Sequence, residues 1–105
     1  MVIVETSIFT RQLVKLLPDE EYRQLQIELI RRPEMGAIIS GSGGLRKVRW
    51  SLSGRGKRGG ARVIYYWAVS QEQILMLLIY AKNEQDDLTK DQLKVLRAVV
   101  ESEYL

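Results

Sequence analysis

Ala61-Arg62-Val63-Ile64-Tyr65-Tyr66-Trp67-Ala68-Val69 and Ile74-Leu75-Met76-Leu77-Leu78-Ile79-Tyr80-Ala81 flank the polar tetrapeptide Ser70-Gln71-Glu72-Gln73. Two runs rich in β-branched and aromatic side chains, separated by a short polar break, predict two neighbouring antiparallel strands joined by a turn. The second run is apolar without interruption from Ile74 to Ile79, which predicts an interior strand.

Upstream, Val48, Trp50 and Leu52 alternate with Lys47, Arg49 and Ser51, the period of two that marks a half-buried strand. Lys47 and Arg49 therefore share one face. Gly36 and Gly41-Ser42-Gly43-Gly44 mark a loop before this strand. Before the loop the period lengthens. Phe9, Leu13, Leu16 and Leu17 recur at helical spacing behind a Thr6 or Ser7 cap. Pro18 restarts the chain into a second helix, with Asp19, Glu20 and Glu21 in its first turn and Tyr22, Leu25 and Leu29 along one face. Val2 to Val4 reads as a short leading strand. At the other end, Thr89 and Gln92 form a capping box, Leu88 is placed to staple onto Leu93, and Leu93, Leu96 and Val100 give a final helix its packing stripe. The expected architecture is α+β: an N-terminal strand, a two-helix hairpin, a three-stranded antiparallel sheet and a C-terminal helix, in a single domain over residues 1–105.

Charge is distributed unevenly. Between Leu45 and Arg62 stand Arg46, Lys47, Arg49, Arg55, Lys57, Arg58 and Arg62, and no acidic residue occurs between Glu34 and Glu72. This window carries +7 in a chain whose formal net charge is +3, so the remainder sums to −4. Gathered on one surface, such a block attracts polyanions, of which nucleic acid is the commonest in a cell. With no His and no Cys, the chain cannot supply an imidazole base, a thiolate, a disulfide or an ordinary zinc site. Any catalysis falls to Lys, Arg, Tyr and carboxylates, with no metal or cofactor expected. The N-terminus reaches Glu5 before any long apolar run forms, so neither a signal peptide nor a membrane span is expected there, and the chain reads as cytoplasmic.

Gly54-Arg55-Gly56-Lys57-Arg58-Gly59 matches G-x-G-x-x-G letter for letter. A dinucleotide site needs that loop to open a helix, whereas Arg62 to Trp67 reads as strand, so the match is taken as accidental. Lys47 and Lys57 are followed by Val48 and Arg58, which excludes a P-loop. The segment reads instead as a hairpin loop whose glycines let phosphate approach while Arg55, Lys57 and Arg58 supply charge. If the flanking strands pair across it, Lys47, Arg49 and Arg62 converge, a like-charge cluster that destabilises a sheet unless an anion compensates. Tyr65 and Trp67 read as core. Period-two alternation leaves Tyr66 and Tyr80 open between packing and stacking on an unpaired base.

Three blocks carry a resemblance: Gly43-Gly44-Leu45-Arg46-Lys47-Val48-Arg49, then the run from Gly54 to Tyr66, then Ile79-Tyr80-Ala81-Lys82-Asn83-Glu84-Gln85-Asp86-Asp87-Leu88. In this order they resemble the HigB-like branch of the RelE/ParE toxin superfamily, as does Asp19-Glu20-Glu21-Tyr22-Arg23. The resemblance implies a RelE-like fold and a type II toxin that cuts mRNA on the ribosome. It also implies inhibition by a cognate HigA-like, helix-turn-helix antitoxin, through which alone operator DNA is contacted, and it involves no membrane.

Metal-independent RNA cleavage uses the 2′-hydroxyl as nucleophile, so the protein must hold the phosphate, neutralise developing charge and move protons. By similarity, Lys47 and Arg49 correspond to the paired cations of the first long strand, Arg62 to the arginine opening the next, and Lys82 to a basic residue after the third. Lys47 or Lys82, set among other cations, is the candidate proton acceptor and Arg62 the candidate phosphate clamp. Arg46, Arg55, Lys57, Arg58 and Asn83 are candidate RNA contacts. The RelE pattern has another arginine soon after the last lysine and a tyrosine farther on; here Asn83 follows, and no tyrosine comes before Tyr104. Lys-Asn-Glu at this place is the HigB-like pattern. It leaves the leaving-group acid open, with Tyr80 or Glu84 as candidates. Two other functions fit the same fold and charge: a ParE-like gyrase poison and a nonenzymatic RNA-binding protein.

Overall fold

A computed structural model of the chain describes residues 1–51 and 60–105. In chain order the elements are β1 (Val2–Glu5), α1 (Ser7–Leu16), α2 (Asp19–Arg31), β2 (Ala37–Ile38), β3 (Arg46–Trp50), β4 (Ala61–Ala68), β5 (Gln73–Ala81) and α3 (Lys90–Tyr104). The α+β class is as the sequence predicts, but the sheet has five strands in the order β1-β5-β4-β3-β2. β3, β4 and β5 form the expected antiparallel ladder. Two strands extend it. β1 pairs parallel to β5, so β5 is covered on both edges and the sheet is mixed. Ala37 and Ile38, inside the stretch read as loop, add a two-residue edge strand against Lys47 and Arg46.

The helix ends follow their capping chemistry. The Thr6 hydroxyl accepts from the Phe9 N–H and donates to the Leu77 carbonyl, fixing the start of α1 onto β5. Thr89 and Gln92 form the full reciprocal capping box of α3. α2 begins at Pro18 with three acids in its first turn, where the helix dipole favours them.

Alternation along β4 separates two cores. Ala61, Val63 and Tyr65 point to one side and pack with Phe9, Leu13 and Leu17 of the first helical segment and Leu25 and Leu29 of α2. Ile64 points to the other side and packs with Leu75, Leu77, Leu78, Tyr80 and, from α3, Leu96 and Val100. The ladder slips once, between Ile64 opposite Leu78 and Tyr65 opposite Met76, leaving Leu77 as the extra residue of a bulge. Leu77 and Leu78 consequently both serve the α3 core. Tyr65, fully buried, donates to the Pro33 carbonyl at 2.6 Å and accepts from the Gly36 N–H at 2.9 Å. A Cβ on Gly36 would stand 2.8 Å from the Tyr65 ring, which is why glycine stands here.

Candidate nucleic-acid site

The site is built on the α3-facing side of β3, β4 and β5. Because β3 and β4 are antiparallel, Lys47 lies opposite Ile64 and Arg49 opposite Arg62, and the next strand places Tyr80 opposite Arg62. Arg49, Arg62 and Tyr80 thus form one row across three strands, with Lys47 one step along the same face of β3. The predicted convergence of Lys47, Arg49 and Arg62 is present.

Arg62 is the centre of the row. It is only 7% exposed, yet among the described residues its guanidinium makes one hydrogen bond, a long 3.5 Å contact with the Ala61 carbonyl, and has no acidic partner beside it. A buried cation without a neutralising anion is costly. Arg49 is exposed and adds a second positive charge at the same register position.

Lys47 differs from expectation. Its ammonium donates to the Asp87 carboxylate at 3.2 Å, so it is not surrounded by cations alone. Asp87 also accepts from the Leu88 N–H, and these two donors hold its carboxyl below the usual aspartate range. The pair is open to solvent, with the Asp87 side chain 70% exposed. Asp87 is not among the site residues expected from sequence: Lys47, its partner, lies forty positions away, and nothing local to either residue signals the contact.

Lys82 is half-buried just past β5, and its N–H donates to the Gly60 carbonyl at 3.1 Å, two residues before Arg62. Asn83 and Glu84 are exposed in the turn that follows. Arg46 lies elsewhere. Its register partner is Tyr65, on the α1–α2 side, and its guanidinium donates to the carbonyls of Glu34 at 3.1 Å and Gly36 at 2.8 Å. The structure does not bring it to the row, because adjacent strand residues face opposite ways. Arg55, Lys57 and Arg58, with the whole Gly54–Gly59 loop reading, lie outside the described residues.

The two open tyrosines are now separated. Tyr66 is half-buried and stacks on Tyr104 at 5.5 Å between centroids, about 13 Å along β4 from Arg62 at the strand rise of about 3.3 Å per residue. Tyr80 is 7% exposed, and its hydroxyl oxygen is buried with no hydrogen-bond partner among the described residues. Burial, then the Asp87 charge, raise its pKa, and Arg62 opposes them. Tyr65 is core as expected, and half-buried Trp67 packs against the same cluster.

A family model described as the RelE toxin of the RelE/RelB toxin–antitoxin system matches residues 1–104. The chain belongs to the RelE toxin family. Its fold matches a solved member: a double arginine-to-alanine mutant of the E. coli toxin RelE in the free state superposes with a TM-score of 0.61 over 93% of this chain and 94% of that one. At 13% identity this likeness speaks for the RelE fold alone. Membership makes the chain the toxin of a toxin–antitoxin system, with an antitoxin as its cognate partner. Among the described residues, no helix is long and apolar enough to cross a membrane.

Proposed function

We propose that this RelE-family toxin is a ribosome-dependent mRNA endoribonuclease of the HigB-like branch, acting in the cytoplasm and restrained by a HigA-like helix-turn-helix antitoxin. The observation that carries the reading is Arg62: a guanidinium held in the sheet at 7% exposure, facing Arg49 and lacking an acid, has the form of a site waiting for an anion. In the reaction, the ribose 2′-oxygen attacks the adjacent phosphorus and the 5′-oxygen leaves, without a metal. Arg62 and Arg49 clamp the phosphate and take up the charge of the pentacoordinate transition state. Lys47 exchanges Asp87 for an RNA phosphate. Lys82, with no side-chain partner among the described residues, is the proton acceptor for the 2′-hydroxyl. Asn83 and the loop cations Arg55, Lys57 and Arg58 contact neighbouring nucleotides.

Induced expression without antitoxin tests this reading. Wild-type protein should stop growth by halting translation, and Arg62→Ala and Arg49→Ala should abolish toxicity at undiminished protein levels. Full toxicity of the combined Arg49→Ala/Arg62→Ala variant, accompanied by DNA breaks, would refute the nuclease and favour a gyrase poison.

A further inference from the structure

Resting on the nuclease reading, we propose that Tyr80 is the catalytic residue that protonates the leaving 5′-oxygen. Among the described residues, its hydroxyl is the one buried side-chain polar atom with no hydrogen-bond partner. Buried polar groups are almost always bonded, and an orphan is kept at a cost of about 1–3 kcal/mol. Its cross-strand neighbour is Arg62, the buried arginine that also lacks an anion. Two unsatisfied donors side by side on one sheet face are met together by one ligand with several acceptor oxygens, which is what a phosphodiester offers.

The other proton-transfer candidates are less well placed. Tyr66 is engaged by Tyr104 four residues farther along β4, and Glu84 is exposed in the turn. Tyr80 meets substrate as a donor, since a phenol is protonated at neutral pH; burial and the Asp87 charge hold the proton more tightly, and the Arg62 charge opposes them by favouring the phenolate. In the step proposed, the 2′-hydroxyl gives its proton to the Lys82 amine as the new O–P bond forms. The P–O5′ bond breaks, the Tyr80 proton passes to the departing oxygen, and the products are a 2′,3′-cyclic phosphate and a 5′-hydroxyl. The phenolate, stabilised beside Arg62, regains a proton from water.

Tyr80→Phe removes the hydroxyl and nothing else. Two mRNAs on programmed ribosomes distinguish its role, one natural and one with sulfur replacing the bridging 5′-oxygen at the cleaved position, since a thiolate leaves without a proton. We expect Tyr80→Phe to cut natural mRNA about 100-fold or more slowly than wild type, within the range for a lost general acid, and to cut the sulfur-bridged mRNA at the wild-type rate. Equal rates on natural mRNA, or equal slowing on both mRNAs, would overturn the proposal while leaving the nuclease reading intact. Failure of Tyr80→Phe to fold would overturn it too, because the hydroxyl would then be a structural bond. If wild-type protein cuts neither mRNA, the nuclease reading fails and the proposal falls with it.

Discussion

Arg49 on β3 and Arg62 on β4 occupy the same register position, directly opposite each other in the antiparallel ladder. Like charges so placed work against the fold, and Arg62 adds the cost of a buried, unneutralised guanidinium. Arg62→Met, which keeps the length and apolar contact of the side chain but removes the charge, should leave stability unchanged or raise it by about 1 kcal/mol. Urea denaturation reads this directly. A loss of 2 kcal/mol or more would mean that the guanidinium is a structural bond.

Binding should carry the signature of phosphate contacts. If Lys47, Arg49, Arg62 and Lys82 each neutralise one phosphate of a single strand, the logarithm of affinity should fall with the logarithm of salt concentration at a slope of about −3. Arg62→Met should make the slope shallower by about 0.7. Fluorescence anisotropy across a salt series measures both, and an unchanged slope in the variant would remove Arg62 from the contact set.

The Lys47–Asp87 pair predicts a pH-dependent effect of small size. The carboxyl of Asp87 titrates below its ordinary 3.8 in the folded protein, so its contribution is complete above that range and is lost as pH falls through it. Because the Asp87 side chain is 70% exposed, solvent screening limits the pair to a few tenths of a kcal/mol. Thermal melts of wild type and Asp87→Asn should differ slightly at neutral pH and converge in acid. The same variant frees Lys47 and should bind RNA more tightly; weaker binding would show that Asp87 helps to hold substrate.

Tyr65 and Tyr80 make a controlled comparison, two buried tyrosines on opposite faces of neighbouring strands. Tyr65 satisfies the Pro33 carbonyl and the Gly36 N–H, and Tyr65→Phe leaves both without it, at a cost of about 2–3 kcal/mol. Tyr80→Phe removes a hydroxyl with no partner among the described residues and should cost nothing. Chemical denaturation of both variants checks the contrast, and equal losses would contradict the assignment of Tyr80 as unpaired.

The three antiparallel strands were legible because period two, the Ser70-Gln71-Glu72-Gln73 break and the unbroken Ile74–Ile79 run are local signals. Helix starts at Thr6 and Thr89 were legible for the same reason: a cap acts over three residues. β1 beside β5 was not, since parallel pairing is decided by how α1 returns the chain to the sheet. Ala37–Ile38 is too short to show a period, and the glycines around it read as loop. In the site, alternation put Lys47 and Arg49 on one face, and the same alternation sends Arg46 to the other, where it braces the Glu34–Gly36 carbonyls. The Lys47–Asp87 contact joins residues forty positions apart, and the burial of Tyr80 depends on which helix covers which face. Neither has a local trace in sequence.

Ribosome-dependent cleavage through Arg62 is tested most directly by primer extension on mRNA incubated with purified protein, with and without programmed ribosomes, alongside Arg62→Ala. New cuts are expected only when ribosomes are present, and none with the variant. Cuts that persist undiminished in Arg62→Ala, or wild-type protein that leaves ribosome-bound mRNA intact, would contradict it.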